Sequence, residues 1–406
     1  MKIVDILNFR VPLSGQISNA VVNFSEHDVS LVAVVSDLRR NGRPLVGWAF
    51  NSIGRFAQQG IIEQRIRPRI LAATEKSLLD CEGKGFDPSA VRACAMQNEK
   101  PGGHGDRASA VAAVELAIWD LNAKIREVPA WVLIAEHFGC IEAGCIEAGR
   151  TETVRTGAGR TEATRAASVY AAGGYYYPPG VGKTLSEELK SYQAMGFDRF
   201  KIKVGGAQLR EDLARIDAAM KIAGDGKNLL VDANGRFDLP GALAFAKEIA
   251  PYSLGWFEEA GDPLDYALNR SLAEHYAGPI ATGENLFSFE DVRNLLRYGG
   301  QRAGRDIFQM DAGLSYGLTD YARMIALMEQ HGFDRRQAWP HGGHLINLHI
   351  VVGLGLGGCE VYPCVFQPFG GYSDACRIAN GQVTPSQAPG FGLEEKSSLK
   401  PWLEKV

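Results

Sequence analysis

"RFKIKVGG", Arg199 to Gly206, decides how this chain is read. It has the length and apolar content of a buried β-strand. Yet Lys201 and Lys203 stand two apart, so both point to one face. Burying one ammonium is costly and burying two side by side is worse. The chain must therefore bring anions, or a chemical use, to that face. Candidate anions recur at regular intervals: "NLLVDANG" carries Asp232, "GWFEE" Glu258, "PIATGE" Glu284 and "IFQMDAG" Asp311. "QAWPHGG" then carries His341, and "CEVYP" carries Glu360. From Lys203 onward the steps between these residues are 29, 26, 26, 27, 30 and 19. A βαβ unit fills about 30 residues. With "SVYAAGG" in front, eight apolar runs alternate with helical segments. This predicts an α/β fold on a (β/α)8-type barrel, and the short last step predicts a cut-down final connection, (β/α)7β. In such barrels the reacting side chains sit at the C-terminal strand ends, where these polar residues fall.

Working outward, "KIVDILNFRVPL" and "DVSLVAVVSDLRRNGRPLVGWAF" alternate like strands, and the second contains an Asn-Gly turn. "RASAVAAVELAIWDLNAKI" follows with helical spacing. We expect an α+β capping domain over 1–130, a barrel over 131–370, and a C-terminal segment, 371–406, that returns to the capping domain. "CIEAGCIEAGRTETVRTGAGRTEATR", 140–165, opens with a tandem duplication and has little to bury, so it reads as a solvated insertion.

The composition, 46% apolar and 22% charged, allows a large core, and a net charge of −4 gives no case for nucleic acid or an anionic membrane as partner. The N-terminus does not read as a signal peptide, and the seven cysteines have no CxxC pair. A cytoplasmic protein with free thiols is expected.

Asp232, Glu258 and Glu284 end successive strands, which lie about 5 Å apart in a sheet. Three anions that close repel unless a cation sits among them, and an all-oxygen set suits Mg²⁺. Pairing with lysine or arginine is the plainer alternative. Alternation turns Glu259 to the opposite face, towards the helices. Lys203, buried beside a second cation, should have a lowered pKa and serve as a base. His341, one βα unit after Asp311, is a candidate acid or base oriented by that carboxylate. His344 is the weaker candidate, and His349 reads as packing. Metal-held carboxylates flanked by bases suit removal of a proton α to a carboxylate. "GLGLGG", 353–358, follows a helix rather than a strand and so reads as close packing, not a dinucleotide site. "GVGKT", 180–184, lacks the first P-loop glycine.

"KIK" at 201–203, "DAN" at 232–234, "EE" at 258–259, "GEN" at 283–285, "QMD" at 309–311 and "PHGGH" at 340–344 resemble the mandelate racemase branch of the enolase superfamily. "NEKPGGHG", "YAAGGYYYP", "VDANGRF", "GDPLDYAL", "ATGENLFS", "NLLRYGG", "LSYGL" and "VFQPFGG" resemble, within it, the D-tartrate dehydratase family. The resemblance implies a Mg²⁺-dependent lyase for a small-molecule acid, D-tartrate to oxaloacetate, in a homo-oligomer. It implies Lys203 as the α-proton base, and His341, primed by Asp311, as the acid for the departing hydroxyl. It implies Asp232, Glu258 and Glu284 on the metal. Asn19, Lys100, Tyr177, Lys201 and Glu360 would touch substrate, Lys100 as the cation for the distal carboxylate. Ile53 stands where that family has a more polar loop. Another acid-sugar dehydratase or a racemase would use the same Lys/His pair, and a catalytically silent scaffold protein is the alternative of another class.

Overall fold

The computed structural model describes residues 1–139, 166–178 and 180–406. The insertion expected at 140–165 lies outside the described residues. At the N-terminus β1 (Ile3–Pro12), β2 (Asp28–Arg40) and β3 (Arg43–Phe50) form an antiparallel sheet in that order. Asn41 and Gly42 turn β2 into β3 with φ of 51° and 80°, as an Asn-Gly hairpin turn requires. Next come α1 (Gln59–Ile61) and α2 (Arg67–Ala72), joined by a π-wound turn at Ile62–Ile66. They lead to α3 (Pro88–Ala95), α4 (Asp106–Ile125) and α5 (Ala130–His137). Helix α4 is buried along most of its length against β3. A Cβ on Gly47 would lie 2.0 Å from the Ala117 carbonyl oxygen, so glycine there permits the close approach.

The second body alternates strand and helix. Its elements are β4 (Ala167–Ala172), α6 (Leu185–Ala194), β5 (Phe200–Lys203), α7 (Leu209–Ala223), β6 (Leu229–Asp232), α8 (Leu239–Ile249) and β7 (Trp256–Glu258). They continue through α9 (Tyr266–His275), β8 (Ile280–Thr282), α10 (Phe289–Tyr298), β9 (Ile307–Phe308), α11 (Leu318–Gln330), α12 (Leu345–Leu354) and β10 (Cys359–Val361). Strands β4 to β9 pair in parallel in chain order, and β10 pairs back onto β4, which curls the sheet into the modified barrel. Side-chain caps start the helices after the strands: Thr184, Asp238, Asp265 and Ser288 each accept a first-turn N–H.

One expected strand is missing. "QAWPHGG" makes a single parallel bridge, Phe308 to Ala338. Trp339 N–H donates to the Phe308 carbonyl at 2.8 Å and His341 N–H to that of Gln309 at 3.2 Å. Pro340 has no N–H to extend the ladder. Across the gap, Gly357 N–H donates to the Ala338 carbonyl at 3.0 Å. A Cβ on Gly358 would lie 2.2 Å from the Trp339 ring, so the "GLGLGG" glycines serve packing. After β10 the chain adds β11 (Ile378–Ala379) and β12 (Gln382–Val383), the latter antiparallel to β4. It then reaches α4, where Phe391 N–H donates to Asp120 at 2.6 Å and Lys124 pairs with Glu394. Among the described residues, no helix is long and apolar enough to cross a membrane, and the five described cysteines are free.

Candidate active site

The sheet register sets the first row of the site. Lys203 lies opposite Asp232, and Asp232 opposite Glu258. Asp232, Glu258 and Glu284 each offer an oxygen within 4.8 Å of the others. Both buried lysines are paired with carboxylates. Lys201 Nζ lies 2.7 Å from Glu258, 2.8 Å from Glu360 and 3.7 Å from Asp232. Lys203 Nζ lies 2.5 Å from Asp232. The rings of Tyr170 and Tyr175 face the two ammoniums at 5.4 and 5.1 Å.

This arrangement corrects the expectation that Lys203 is shifted down. Burial, the largest single influence, and Lys201 lower it, but Asp232, with Tyr175 and Glu258 behind it, outweighs them, and together these groups raise the Lys203 pKa. Its availability as a base therefore depends on what else neutralises Asp232. Glu258 moves the other way: burial, then the charge of Asp232, push it up to about 8. Glu259 is a second correction. Strand β7 stops at Glu258, and Glu259 takes a left-handed φ of 38°. Alternation no longer applies there. The Glu259 carboxylate accepts from Asn285 Nδ2 at 2.9 and 3.1 Å, and burial and then the charge of Glu284 raise its pKa. Arg55, from the loop after β3, holds the Asn285 carboxamide oxygen.

At the other end of the carboxylate group, His341 Nε2 lies 3.8 Å from Glu284, and its Nδ1 lies 3.1 Å from Asp311 Oδ2. Burial alone would lower the imidazole, but Glu284 and Asp311 outweigh it and hold His341 up to about 9. Asp311 is itself fixed. Gly313 N–H donates to Oδ1 at 2.7 Å, and Ser52 Oγ donates to Oδ2 at 2.5 Å. Ser52 is fully buried with a φ of 62°. Tyr362 Oη lies 3.2 Å from His341 Nε2. His344 instead caps α12, and burial lowers it to about 4. His349 is packed beside Phe391, and Trp131 N–H donates to its Nδ1 at 3.3 Å.

The expected substrate contacts divide. Glu360 joins the site, holding Lys201 and accepting from Gly342 N–H at 2.8 Å. Asn19 sits in a loop that pairs with Tyr176 through Ser18, but its side-chain oxygen accepts from Val21 and Val22 N–H of its own turn. Lys100 is exposed between α3 and α4, with no side-chain partner among the described residues. Tyr177 is turned towards Glu188 on α6, and Tyr175 takes the place against Lys203. Ile53 is buried in the core. Tyr175, Tyr362 and Ser52 were not singled out from the sequence. Tyr362 had a signal, since it stands two residues after Glu360 and so shares its side of the extended chain. Ser52 had none, being brought in from the capping sheet by an unusual backbone angle.

The carboxylate set fits a hard divalent cation. All donors are oxygens, and two are oriented from behind: Asp232 accepts from Asn234 at 2.9 and 3.2 Å, and Glu258 from Trp256 Nε1 at 2.9 Å.

The chain is 24% identical to L-talarate/galactarate dehydratase of Salmonella typhimurium over 404 residues, covering 97% of this chain and 88% of that one. It is 29% identical to 3,6-anhydro-alpha-L-galactonate cycloisomerase of Streptomyces coelicolor over 253 residues, 62% of this chain and 60% of that enzyme's length. A racemase from Streptomyces coelicolor A3(2), solved with bound magnesium, has the same fold at a TM-score of 0.71 and 22% identity, covering 96% and 94% of the two chains. Residues 184–398 match the family model described as enolase C-terminal domain-like. That match takes in more than half of the 406 residues, and the chain belongs to the enolase superfamily.

Proposed function

We propose that this protein is a Mg²⁺-dependent hydro-lyase that dehydrates a 2,3-dihydroxy diacid, D-tartrate, to oxaloacetate. One observation carries the reading: Lys203 and His341 flank the three carboxylates from opposite ends, through Asp232 at 2.5 Å and Glu284 at 3.8 Å. Asp232, Glu258 and Glu284 would hold the magnesium, which when bound offsets their charge and the negative charge that builds as the α-proton leaves.

The protein's own groups do the rest. Lys203, once neutral, takes the α-proton and becomes an ammonium. Lys201, held by Glu258 and Glu360, keeps a fixed positive charge beside the substrate carboxylate. His341, its Nδ1 paired with Asp311, would supply from Nε2 the proton that turns the β-hydroxyl into water. The Cβ–O bond breaks with its electrons on oxygen, and the released enol tautomerises to the 2-oxo diacid. Asp311, braced by Ser52 and Gly313, keeps Nδ1 occupied and Nε2 turned to the reaction. The relationship to L-talarate/galactarate dehydratase favours a longer diacid as the second reading.

The deciding experiment incubates the protein with Mg²⁺ and each tartrate stereoisomer, with galactarate alongside, and traps 2-oxo acid with semicarbazide. Product from D-tartrate alone is expected. Product from galactarate alone would move the assignment to the longer diacid. α-Proton exchange without any 2-oxo acid would make the enzyme a racemase.

A further inference from the structure

The acid step has a feature that His341 alone does not explain. Its Nδ1 is committed to Asp311, so Nε2 is the nitrogen that must deliver a proton. Tyr362 Oη already sits on that nitrogen, at 3.2 Å. Among the described residues this is the only hydrogen bond of the Tyr362 hydroxyl. When the imidazolium donates to Oη, the phenolic hydrogen has no acceptor among the described residues and can face a bound molecule.

The placement of Tyr362 is built into the fold. It follows β10, two residues after Glu360, so the two share one side of the extended chain. Tyr362 N–H donates to the Gly343 carbonyl at 3.3 Å, and a Cβ on Gly343 would lie 2.4 Å from the Tyr362 nitrogen. The "PHGGH" turn that carries His341 is thus pressed directly onto the backbone of Tyr362. Its ring packs edge-on against Phe366 with centroids 4.8 Å apart. Burial first, then the charge of Glu360, raise the phenol pKa, so the hydroxyl remains a donor.

We propose that Tyr362 is a catalytic residue that touches the departing β-hydroxyl and passes on the proton of His341. The bond from His341 Nε2 to hydrogen breaks as that proton moves to Tyr362 Oη. The phenolic proton moves to the leaving oxygen as the Cβ–O bond breaks, water departs, and Tyr362 is again a neutral phenol. This inference rests on the dehydratase reading above.

The test compares wild type with Tyr362→Phe in deuterium oxide with Mg²⁺ and D-tartrate. It records 2-oxo acid by semicarbazide and α-deuterium in recovered substrate by NMR. Tyr362→Phe should lose about 100-fold in kcat for elimination, the scale of a general-acid contribution. KM should change far less, and α-exchange should persist because Lys203 is untouched. Elimination within twofold of wild type would overturn the proposal, as would exchange and elimination falling together in a folded variant. A proton inventory on wild type tests it without any substitution. A curved dependence of elimination on deuterium fraction is expected for two protons in flight, and a linear one would overturn the relay. Wild type that neither exchanges nor eliminates with any tartrate or galactarate would sink the dehydratase reading and this inference with it. An active wild type with an unaffected Tyr362→Phe would sink this inference alone.

Discussion

Lys203 is useful only if the charge of Asp232 is taken up by something other than its ammonium. In the proposed reaction the Asp311–His341 pair faces the reverse demand, since it would have to keep a proton ready. Ser52 sharpens that pair by fixing Asp311 Oδ2 between a hydroxyl and the imidazole. Ser52→Ala removes one buried hydrogen bond to a charged group, worth about 1.5–3 kcal/mol. We expect kcat to fall about 10-fold or more with KM little changed, and Ser52→Thr to restore part of it in steady-state kinetics. An unchanged kcat would remove Ser52 from the account. At this scale the sequence was informative wherever a regular repeat governed position. Asp232, Glu258 and Glu284 could be picked out because each ends one βα unit, and the structure gathers their oxygens within 4.8 Å. Glu259, Tyr175 and Ser52 escaped because backbone angles and loop paths beyond the strand ends decide where they point. Lys203 escaped differently: its position could be read, but the sign of its shift depended on a 2.5 Å contact that spacing does not reveal.

Among the elements, helix α4 supplies a joint between the capping region and the barrel. Glu115, fully buried on α4, accepts from Leu318 N–H at 2.8 Å and Thr319 N–H at 3.0 Å, closing the first turn of α11. A Cβ on Gly317 would lie 2.2 Å from that carboxylate, so only glycine fits there. Glu115→Ala strands these donors and should cost about 3 kcal/mol in urea unfolding. A loss below about 1 kcal/mol would show that the joint contributes little. The C-terminal segment makes a second joint through Lys396, which donates to the carbonyls of Gly370 at 2.8 Å and Tyr372 at 3.4 Å. Burial lowers Lys396 to about 8, against the smaller opposing charges of Asp374 and Cys376. The unfolded chain therefore binds more protons between about pH 8 and the ordinary lysine value. Below about pH 8 the burial penalty is fully present, and it is relieved as pH rises. Relative to Lys396→Met, wild type should gain roughly 2–3 kcal/mol from pH 7.5 to 10.5 in denaturant titrations. No change in that difference would contradict the assigned shift. The strand rhythm of the barrel could be read because each run is short, apolar and closed by a polar residue. The seventh run misled because Pro340 and the packing of Trp339 leave it one bridge instead of a ladder.

For the whole molecule, the capping region and the barrel both contribute residues to the candidate site. Ser52 and Arg55 come from the loop after β3, while the carboxylates, lysines and His341 come from the barrel. The barrel could be foreseen from its period. The reach of the capping loop could not, because it depends on how two bodies with separate patterns pack together. Binding a cation at the carboxylates should stabilise the folded chain by mass action, about 3 kcal/mol at 100 times the dissociation constant. Added Mg²⁺ should raise the melting temperature of wild type and leave that of Asp232→Asn unmoved. An equal rise in both would place the ion elsewhere. The division of labour between the two ends of the site is tested most directly by α-deuterium incorporation into D-tartrate in deuterium oxide with Mg²⁺, measured for Lys203→Ala and His341→Asn. We predict that His341→Asn still exchanges the α-proton while releasing no oxaloacetate, and that Lys203→Ala does neither. Exchange that survives in Lys203→Ala would contradict the account.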